Sequence, residues 1–219
     1  MNNLLKFITF FIIFGVIIAG IVAPIPFIPS LEDKARVIYF HVPMAWLSVV
    51  AFLLSMINSV KYLKKKESIH DIRAYSSAGL GLLFCILATV TGSLWAKFNW
   101  GSFWNWDPRE TSIFILLLIY GAYFALRSAI DSPEQKAKLA SVYAIIAFVT
   151  VPFFIFIMPR IVETLHPDPI INSRGKINMD GTMLIIFLSS LAGFTLLFFW
   201  LYNLKTRIEI LKQKKNLTD

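Results

Sequence analysis

The side chains in this sequence best suited to bind a metal or a flat ligand are histidines and tryptophans. The chain of 219 residues has three histidines, one cysteine and six tryptophans. Four of the tryptophans fall within twelve residues, and an aspartate, a proline and an arginine follow them. The cluster consists of Trp95, Trp100, Trp104 and Trp106, followed by Asp107, Pro108 and Arg109; His41 precedes it, His166 follows it, and the third histidine is His70, among charged residues.

Two histidines that flank an aromatic segment favour a metal held in a planar macrocycle. The single cysteine, Cys85, lies in an apolar run, so the chain offers no cysteine pair for a disulfide or a Cys–His zinc site. Indole rings pack against flat molecules, and an arginine such as Arg109 can hold a carboxylate through two hydrogen bonds. Heme offers two axial positions for imidazoles and carries carboxylates. Because the sequence has no CxxCH motif, such a heme would be bound without covalent attachment.

The composition indicates that the elements carrying these residues lie in a membrane. The chain is 57% apolar, with a mean hydropathy of +0.68, which excludes a water-soluble domain. A helix needs about 20 residues to cross the hydrocarbon core. We therefore predict an all-α integral membrane protein, a bundle of six transmembrane helices forming a single domain over 1–219. The predicted spans are 4–25, 37–61, 74–95, 110–130, 138–159 and 181–204, with an external tryptophan-rich loop at 95–110.

Two of the spans have features of their own. The first could instead be a cleaved signal sequence, but its long apolar run and the proline-rich exit after Ala23 favour a retained helix. The fifth contains Pro152, which removes a backbone donor, so we predict a kink in its outer half.

The distribution of charge predicts the orientation of the bundle. The two termini and the loops at 61–73 and 127–138 lie on one side and together hold 14 basic and 6 acidic residues. The other three loops hold 7 of each, so the whole excess of +8 lies on the first side. Cytoplasmic loops are enriched in lysine and arginine. Both termini and His70 are therefore predicted to be cytoplasmic, with His70 solvated, whereas His41, His166 and the tryptophans face outward. The net positive charge of the chain is then explained by its orientation and by contact with anionic lipid, and it does not indicate binding of nucleic acid.

Less specific interpretations of the cluster remain open. The tryptophans could form an aromatic belt at the membrane interface, although Trp200 alone marks the opposite interface. Asp107 and Glu110 could be an acid and base pair, but their spacing favours capping of the fourth helix. The sequence offers no nucleophile or phosphate-binding loop, so we do not expect an enzyme.

The segment WGSFWNWDPRET at 100–111 resembles the WWD signature of a family of heme-handling proteins in cytochrome c maturation, which includes CcmC, CcmF and CcsA. YFHVPMAW at 39–46, TLH at 164–166, the length and the six spans make the whole chain similar to the CcmC branch. The ending PRET at 108–111 is closer to the CcsA form. Members that also carry heme inside the membrane have further histidines within their helices, and the predicted spans here lack them.

The resemblance implies a site and a set of partners. His41 and His166 would be the axial ligands of the iron of a transiently held heme b, and the further cofactor-binding residues would be Trp100, Trp104, Trp106, Asp107 and Arg109. The family holds heme at the periplasmic face of the bacterial inner membrane and presents it to a CcmE-like heme chaperone. A one-helix CcmD-like protein and CcmA- and CcmB-like ABC transporter subunits assist. The alternatives are a permease for heme or another solute, and a structural subunit of a membrane complex.

Overall fold

The computed structural model describes residues 2–26, 31–166 and 179–215, and within these ranges the chain folds into helices joined by short segments. Six helical segments are long and apolar enough to cross a membrane. The predicted all-α, six-helix membrane fold is therefore confirmed. The elements are α1 (Asn3–Val22), a 3-10 helix (Glu32–Val37), α2 (Ile38–Lys65), α3 (Ser68–Trp100), α4 (Pro108–Ser128), α5 (Pro133–Pro152), a π-helical segment (Phe153–Ile157), α6 (Met158–Ile161) and α7 (Gly181–Lys215).

Several helices extend beyond the predicted spans. The expected loop at 61–73 shortens to a tight connection, because α2 continues to Lys65 and α3 begins at Ser68. Lys66 ends α2 in the left-handed conformation, with φ of 59°. At the other end, α3 runs through Trp100, so the loop predicted at 95–110 is reduced to 101–107. Charge marks where a helix leaves the hydrocarbon core, but lysine and glutamate are good helix formers in water, so charge does not mark where the helix ends.

The fifth span, where we predicted a kink, changes its helix type at Pro152. Regular α-helix ends at this proline, and a π-helical segment over Phe153–Ile157 leads into the short helix α6. Proline lacks the N–H that would bond four residues back, and a π-turn absorbs the mismatch. The chain then continues toward the segment that holds His166.

Large aromatic side chains fill the centre of the bundle. Phe52 on α2 stacks on Tyr120 of α4, with ring centroids 3.4 Å apart, and both rings are fully buried. Phe84 of α3 packs against Phe198 of α7 at 6.1 Å. Helices α2 and α3 form the most extensively packed helix pair of the described bundle. This packing sets the position of His41, which lies on α2.

His70 lies in a different environment from the one predicted. The sequence indicated a solvated histidine in a loop, but His70 is in the first turn of α3 and is 7% exposed. Its Nε2 lies 3.3 Å from an oxygen of Glu67. The prediction was wrong because the α2–α3 connection is tight and folds the start of α3 against neighbouring helices.

Candidate functional site

His41 lies in the first turn of α2, and its side chain crosses to α3. Its Nδ1 is 3.0 Å from Oγ1 of Thr91. The Thr91 hydroxyl itself donates to the carbonyl of Leu87 at 2.7 Å, so its oxygen is left to accept. We therefore assign the imidazole proton to Nδ1. The lone pair of His41 lies on Nε2, the atom that can ligate a metal.

A glycine on α3 makes room for this imidazole. A Cβ atom added at Gly92 would lie 2.9 Å from Cε1 of His41. Real Cβ contacts are not that short, so a larger residue here would push the ring away from Thr91. The position of the His41 ring against α3 therefore depends on Gly92.

The start of α4 is capped as predicted. Gly101 ends α3 with φ of +81°, a conformation that favours glycine. Asp107 is the N-cap of α4 and accepts from the backbone N–H of Arg109 at 2.9 Å. Glu110 reaches back and accepts from the N–H groups of Asn105 and Asp107, which completes a capping box. The loop between α3 and α4 is thereby tied to the first turn of α4.

Asp107 also binds the segment that carries His166. One carboxylate oxygen is 2.8 Å from Nδ1 of His166, and the other accepts from Oγ1 of Thr164 and from the backbone N–H of Leu165, both at 2.7 Å. A carboxylate can only accept, so Nδ1 of His166 carries the proton and Nε2 keeps the lone pair. Asp107 has no exposed side-chain surface, and the side chain of His166 is 17% exposed. His41 and His166 are thus assigned the same tautomer, with the proton on Nδ1 and the lone pair on Nε2.

The electrostatics of this pair favour a charged carboxylate and a neutral imidazole. Burial alone would raise the pKa of Asp107, but hydrogen bonds from Thr164, Arg109 and Leu165, together with the positive charge that His166 carries when protonated, hold this pKa below its usual value. Burial lowers the pKa of His166, and the positive charge of Arg109 lowers it further, against the opposing effect of Asp107. A neutral imidazole is the form that binds a metal.

The four clustered tryptophans form two groups. Trp95 and Trp100 pack against each other at 5.0 Å between ring centroids, and both contact His166, at 6.0 and 4.9 Å. Trp104 instead packs on Trp106 at 5.8 Å, and on Phe114 at 5.9 Å. The first pair forms the aromatic wall beside the histidine. The four tryptophans that form one cluster in the sequence are therefore divided between two places in the structure.

Trp106 has an unusual backbone and an exposed ring. Its φ is +57°, which is uncommon for a residue with a side chain, and 73% of its surface is exposed. A conformation of this kind costs of order 1–3 kcal/mol and is kept where the surroundings enforce it. Here the capping box at Asp107 follows directly and fixes the turn.

Arg109 is a basic residue whose charge acts on the site. It is the second residue of α4, it is half-buried, and its charge acts on His166. The other basic side chains described at this end donate to backbone carbonyls near helix ends, as cations commonly do. These bonds run from Lys34 to Phe98, from Arg36 to Gly20 and Ala23, from Lys97 to Gly101 and from Arg160 to Phe156.

The two histidines lie along one face of α3. Thr91, which contacts His41, and Trp95, which contacts His166, are four residues apart and therefore neighbours on the helix surface. Within the described ranges, no group of three or more histidine, cysteine, aspartate or glutamate side chains could hold a metal ion. A metal bound here would need most of its ligands from elsewhere, as in a macrocycle.

Some residues of this site were not identified from the sequence. Thr91 and Gly92 set the position of His41, and Thr164 ties Asp107 to the chain beside His166. Trp95, which was not assigned to the site, contacts His166 directly. Thr164 adjoins the histidine in the TLH motif, which is a usable signal, whereas Thr91 and Gly92 resemble any other small residues in an apolar helix.

The fold and this site define a multi-pass membrane protein that has a histidine- and tryptophan-lined site at one end of its helical bundle. Comparison with known proteins gives the family. The model of the CcmC family, heme exporter protein C, matches residues 1–219, and the chain belongs to this family, as the sequence predicted.

The relatives match over most of their length. Heme exporter protein C of Bradyrhizobium diazoefficiens is 35% identical over 179 residues, which cover 82% of this chain and 68% of the relative. Heme exporter protein C of Escherichia coli K12 is 30% identical over 183 residues, 84% of this chain and 73% of the relative. A putative cytochrome c biosynthesis ccmC-like mitochondrial protein of Marchantia polymorpha is 34% identical over 179 residues, 82% of this chain and 75% of the relative.

Proposed function

We propose that this chain binds heme between His41 and His166 and presents it to a heme chaperone during maturation of c-type cytochromes. The observation that carries the proposal is the matched state of the two imidazoles. Each uses Nδ1 in a hydrogen bond to a fixed acceptor, which leaves each Nε2 to ligate iron. Both lie along one face of α3, beside two tryptophans.

The surrounding residues suit the other parts of heme. Trp95 and Trp100 offer rings for packing against the macrocycle, and Arg109 offers a guanidinium for a propionate. Trp104 and Trp106 would contact heme or the chaperone from the exposed side of the loop. The role is binding and transfer of heme b without covalent attachment, and the chain is not an enzyme.

The proposed orientation puts the site on the periplasmic face of the bacterial inner membrane and both termini in the cytoplasm. The excess of +8 at the opposite end supports this. In a Cys85→Ala background, cysteine at Glu163 should react with an impermeant thiol reagent added from outside, and cysteine at Ser68 should resist it. Both native residues are exposed, so the opposite result would reverse the orientation.

The partners follow the family and are part of the proposal. We expect a CcmE-like chaperone at the periplasmic face, with CcmD-like and CcmA- and CcmB-like subunits in the membrane. A permease would need an open polar path along the bundle axis, whereas Phe52, Tyr120, Phe84 and Phe198 fill the centre.

Complementation in cells tests the function. A strain lacking its own copy of this protein should make c-type cytochromes when given the wild-type gene and should fail with His41→Ala/His166→Ala. His70→Ala removes a histidine from the opposite end and should restore maturation, provided that the variant accumulates in the membrane. Normal maturation with the double histidine variant would refute the proposal.

A further inference from the structure

The two histidines have chemically different partners. Nδ1 of His41 faces the neutral hydroxyl of Thr91 at 3.0 Å. Nδ1 of His166 faces the carboxylate of Asp107 at 2.8 Å. A hydrogen bond to a charged acceptor is roughly twice as strong as one between neutral groups. The two imidazoles are therefore unequal before any ligand arrives.

Asp107 is held more rigidly than a surface carboxylate would be. One oxygen accepts from the N–H of Arg109 at the start of α4 and from His166, and the other accepts from Thr164 and from the N–H of Leu165. Four donors thus fix the carboxylate from two chain segments. Since its side chain has no exposed surface, Asp107 reaches a ligand only through His166.

We propose that Asp107 is a positioning residue that makes His166 the stronger of the two heme ligands. The inference rests on the proposed heme site. The carboxylate accepts the Nδ1 proton, fixes the ring orientation and increases electron donation from Nε2 to a bound metal. His41, whose partners are the neutral hydroxyl of Thr91 and the backbone of Ala88, is the ligand that gives way on transfer. In that exchange the bond from iron to Nε2 of His41 would break first, and a base of the acceptor protein would take the position. The bond from iron to Nε2 of His166 would break afterwards, and no electron is transferred.

The variant Asp107→Asn removes the charge with little change of volume, and its NH2 group replaces the oxygen that accepts from Thr164 and Leu165. Its amide oxygen can still accept from His166 and Arg109, but the negative charge is gone. We expect the reduction potential of the bound heme to rise, because a less electron-rich imidazole stabilises ferric iron less. Loss of such a partner typically weakens metal binding by about 10–100-fold, so heme should pass to apomyoglobin correspondingly faster. An unchanged potential together with an unchanged transfer rate would overturn the proposal.

Two further variants separate charge from loop anchoring. Thr164→Val removes a donor to the other oxygen of Asp107 and keeps the carboxylate, so it should shift the potential less than Asp107→Asn does. Asp33→Asn removes an exposed carboxylate at the same end, with 86% of its side chain exposed, and should change neither quantity. If Asp33→Asn shifted the potential as much as Asp107→Asn, the effect would be general electrostatics and the proposal would be wrong.

A double-mutant comparison tests whether Asp107 acts through His166. Asp107→Asn should speed heme loss from the His41→Ala variant, whose remaining ligand is His166. It should add little to His166→Ala, where the group it acts on is missing. His166→Ala should itself lose heme at least about 10-fold faster than His41→Ala. If Asp107→Asn increased the rate of heme loss equally in both variants, the inference would be contradicted. If the wild type failed to hold low-spin heme, the proposed function itself would be contradicted.

Discussion

Asp107, which is buried, and Asp71, which is largely buried, are two carboxylates at opposite ends of the bundle, and their partners differ. Asp71, in the first turn of α3, forms a two-bond ion pair with Arg127 near the end of α4, at 2.6 and 2.9 Å. The guanidinium lies 4.8 Å from the ring centroid of Tyr75. Asp107 pairs with a neutral imidazole that joins one loop to another.

The difference distinguishes an ion pair that is complete within the protein from a pair that leaves one nitrogen for a ligand. In the Asp71–Arg127 pair both charges are satisfied within the protein, between two helix ends. In the Asp107–His166 pair the inner nitrogen of the imidazole is satisfied, and the outer nitrogen is left to bind something else. We therefore expect substitutions at the end that holds Asp71 to reduce stability and substitutions at the end that holds Asp107 to reduce heme binding.

Arg127→Ala should have the largest effect on stability. Removing one partner of a buried ion pair leaves the other charge uncompensated and costs about 3–5 kcal/mol. The side chains of Arg127 and Asp71 are 12% and 17% exposed, so this estimate applies. Unfolding in detergent should show the loss, while the folded fraction should keep the wild-type heme spectrum. A heme defect without loss of stability would erase the distinction between the two ends.

Gly92→Ala should reduce heme binding by at least about 10-fold, which equals about 1.4 kcal/mol. The added methyl group would meet the ring of His41 and displace it from Thr91. Gly121→Ala is a matched control, because a Cβ there meets nothing within 4 Å. It should leave heme binding unchanged and stabilise α4 by about 0.5–1 kcal/mol. Titration of the apoprotein with heme measures both variants.

Single tryptophan substitutions should weaken heme binding only in part. Each ring contact is worth about 0.5–1.5 kcal/mol beyond the area it buries. Trp100→Ala, which removes a contact to His166, should weaken binding more than Trp106→Ala does. Trp200, whose ring lies 5.8 Å from Nζ of Lys6 at the opposite end, should tolerate alanine. Equal losses from all three would support the aromatic-belt interpretation.

The smallest expected effect is the pH dependence of stability that arises from the contact between Asp107 and His166. The pKa of His166 is lowered, so the unfolded chain takes up a proton first, and stability falls as pH drops below the ordinary histidine value of about 6.5. The pKa of Asp107 is also lowered, so its contribution is lost only as pH falls below about 3.9. The free energy of unfolding of the apoprotein, measured against pH, should fall below about pH 6.5 because of His166. The variant His166→Gln should not show this fall.

Much of the fold could be predicted from the sequence, because the membrane imposes a simple rule. Long apolar stretches predicted all six helices, and Asp107 predicted a cap that the structure confirms. At Pro152, where a kink was predicted, the α-helix gives way to a π-helical segment. The helix ends were less predictable, since a helix that leaves the membrane continues wherever its residues favour it.

The candidate site was predictable in its residue types but not in its connections. Histidines and tryptophans stand out in an apolar chain, so their position at one end could be inferred from alternation of the spans. The bond from Asp107 to His166 joins residues 59 apart in sequence and depends on how two loops meet. The burial of His70 likewise depends on tertiary packing, and so does the separation of Trp104 from His166.

The absorption spectrum of the purified protein with bound heme tests the central claim most directly. Two imidazoles on iron should give a low-spin spectrum in the wild type. Each single histidine variant should lose that spectrum and recover part of it with added imidazole, and His41→Ala/His166→Ala should retain little heme. Stoichiometric low-spin heme in the double variant would contradict ligation by this pair.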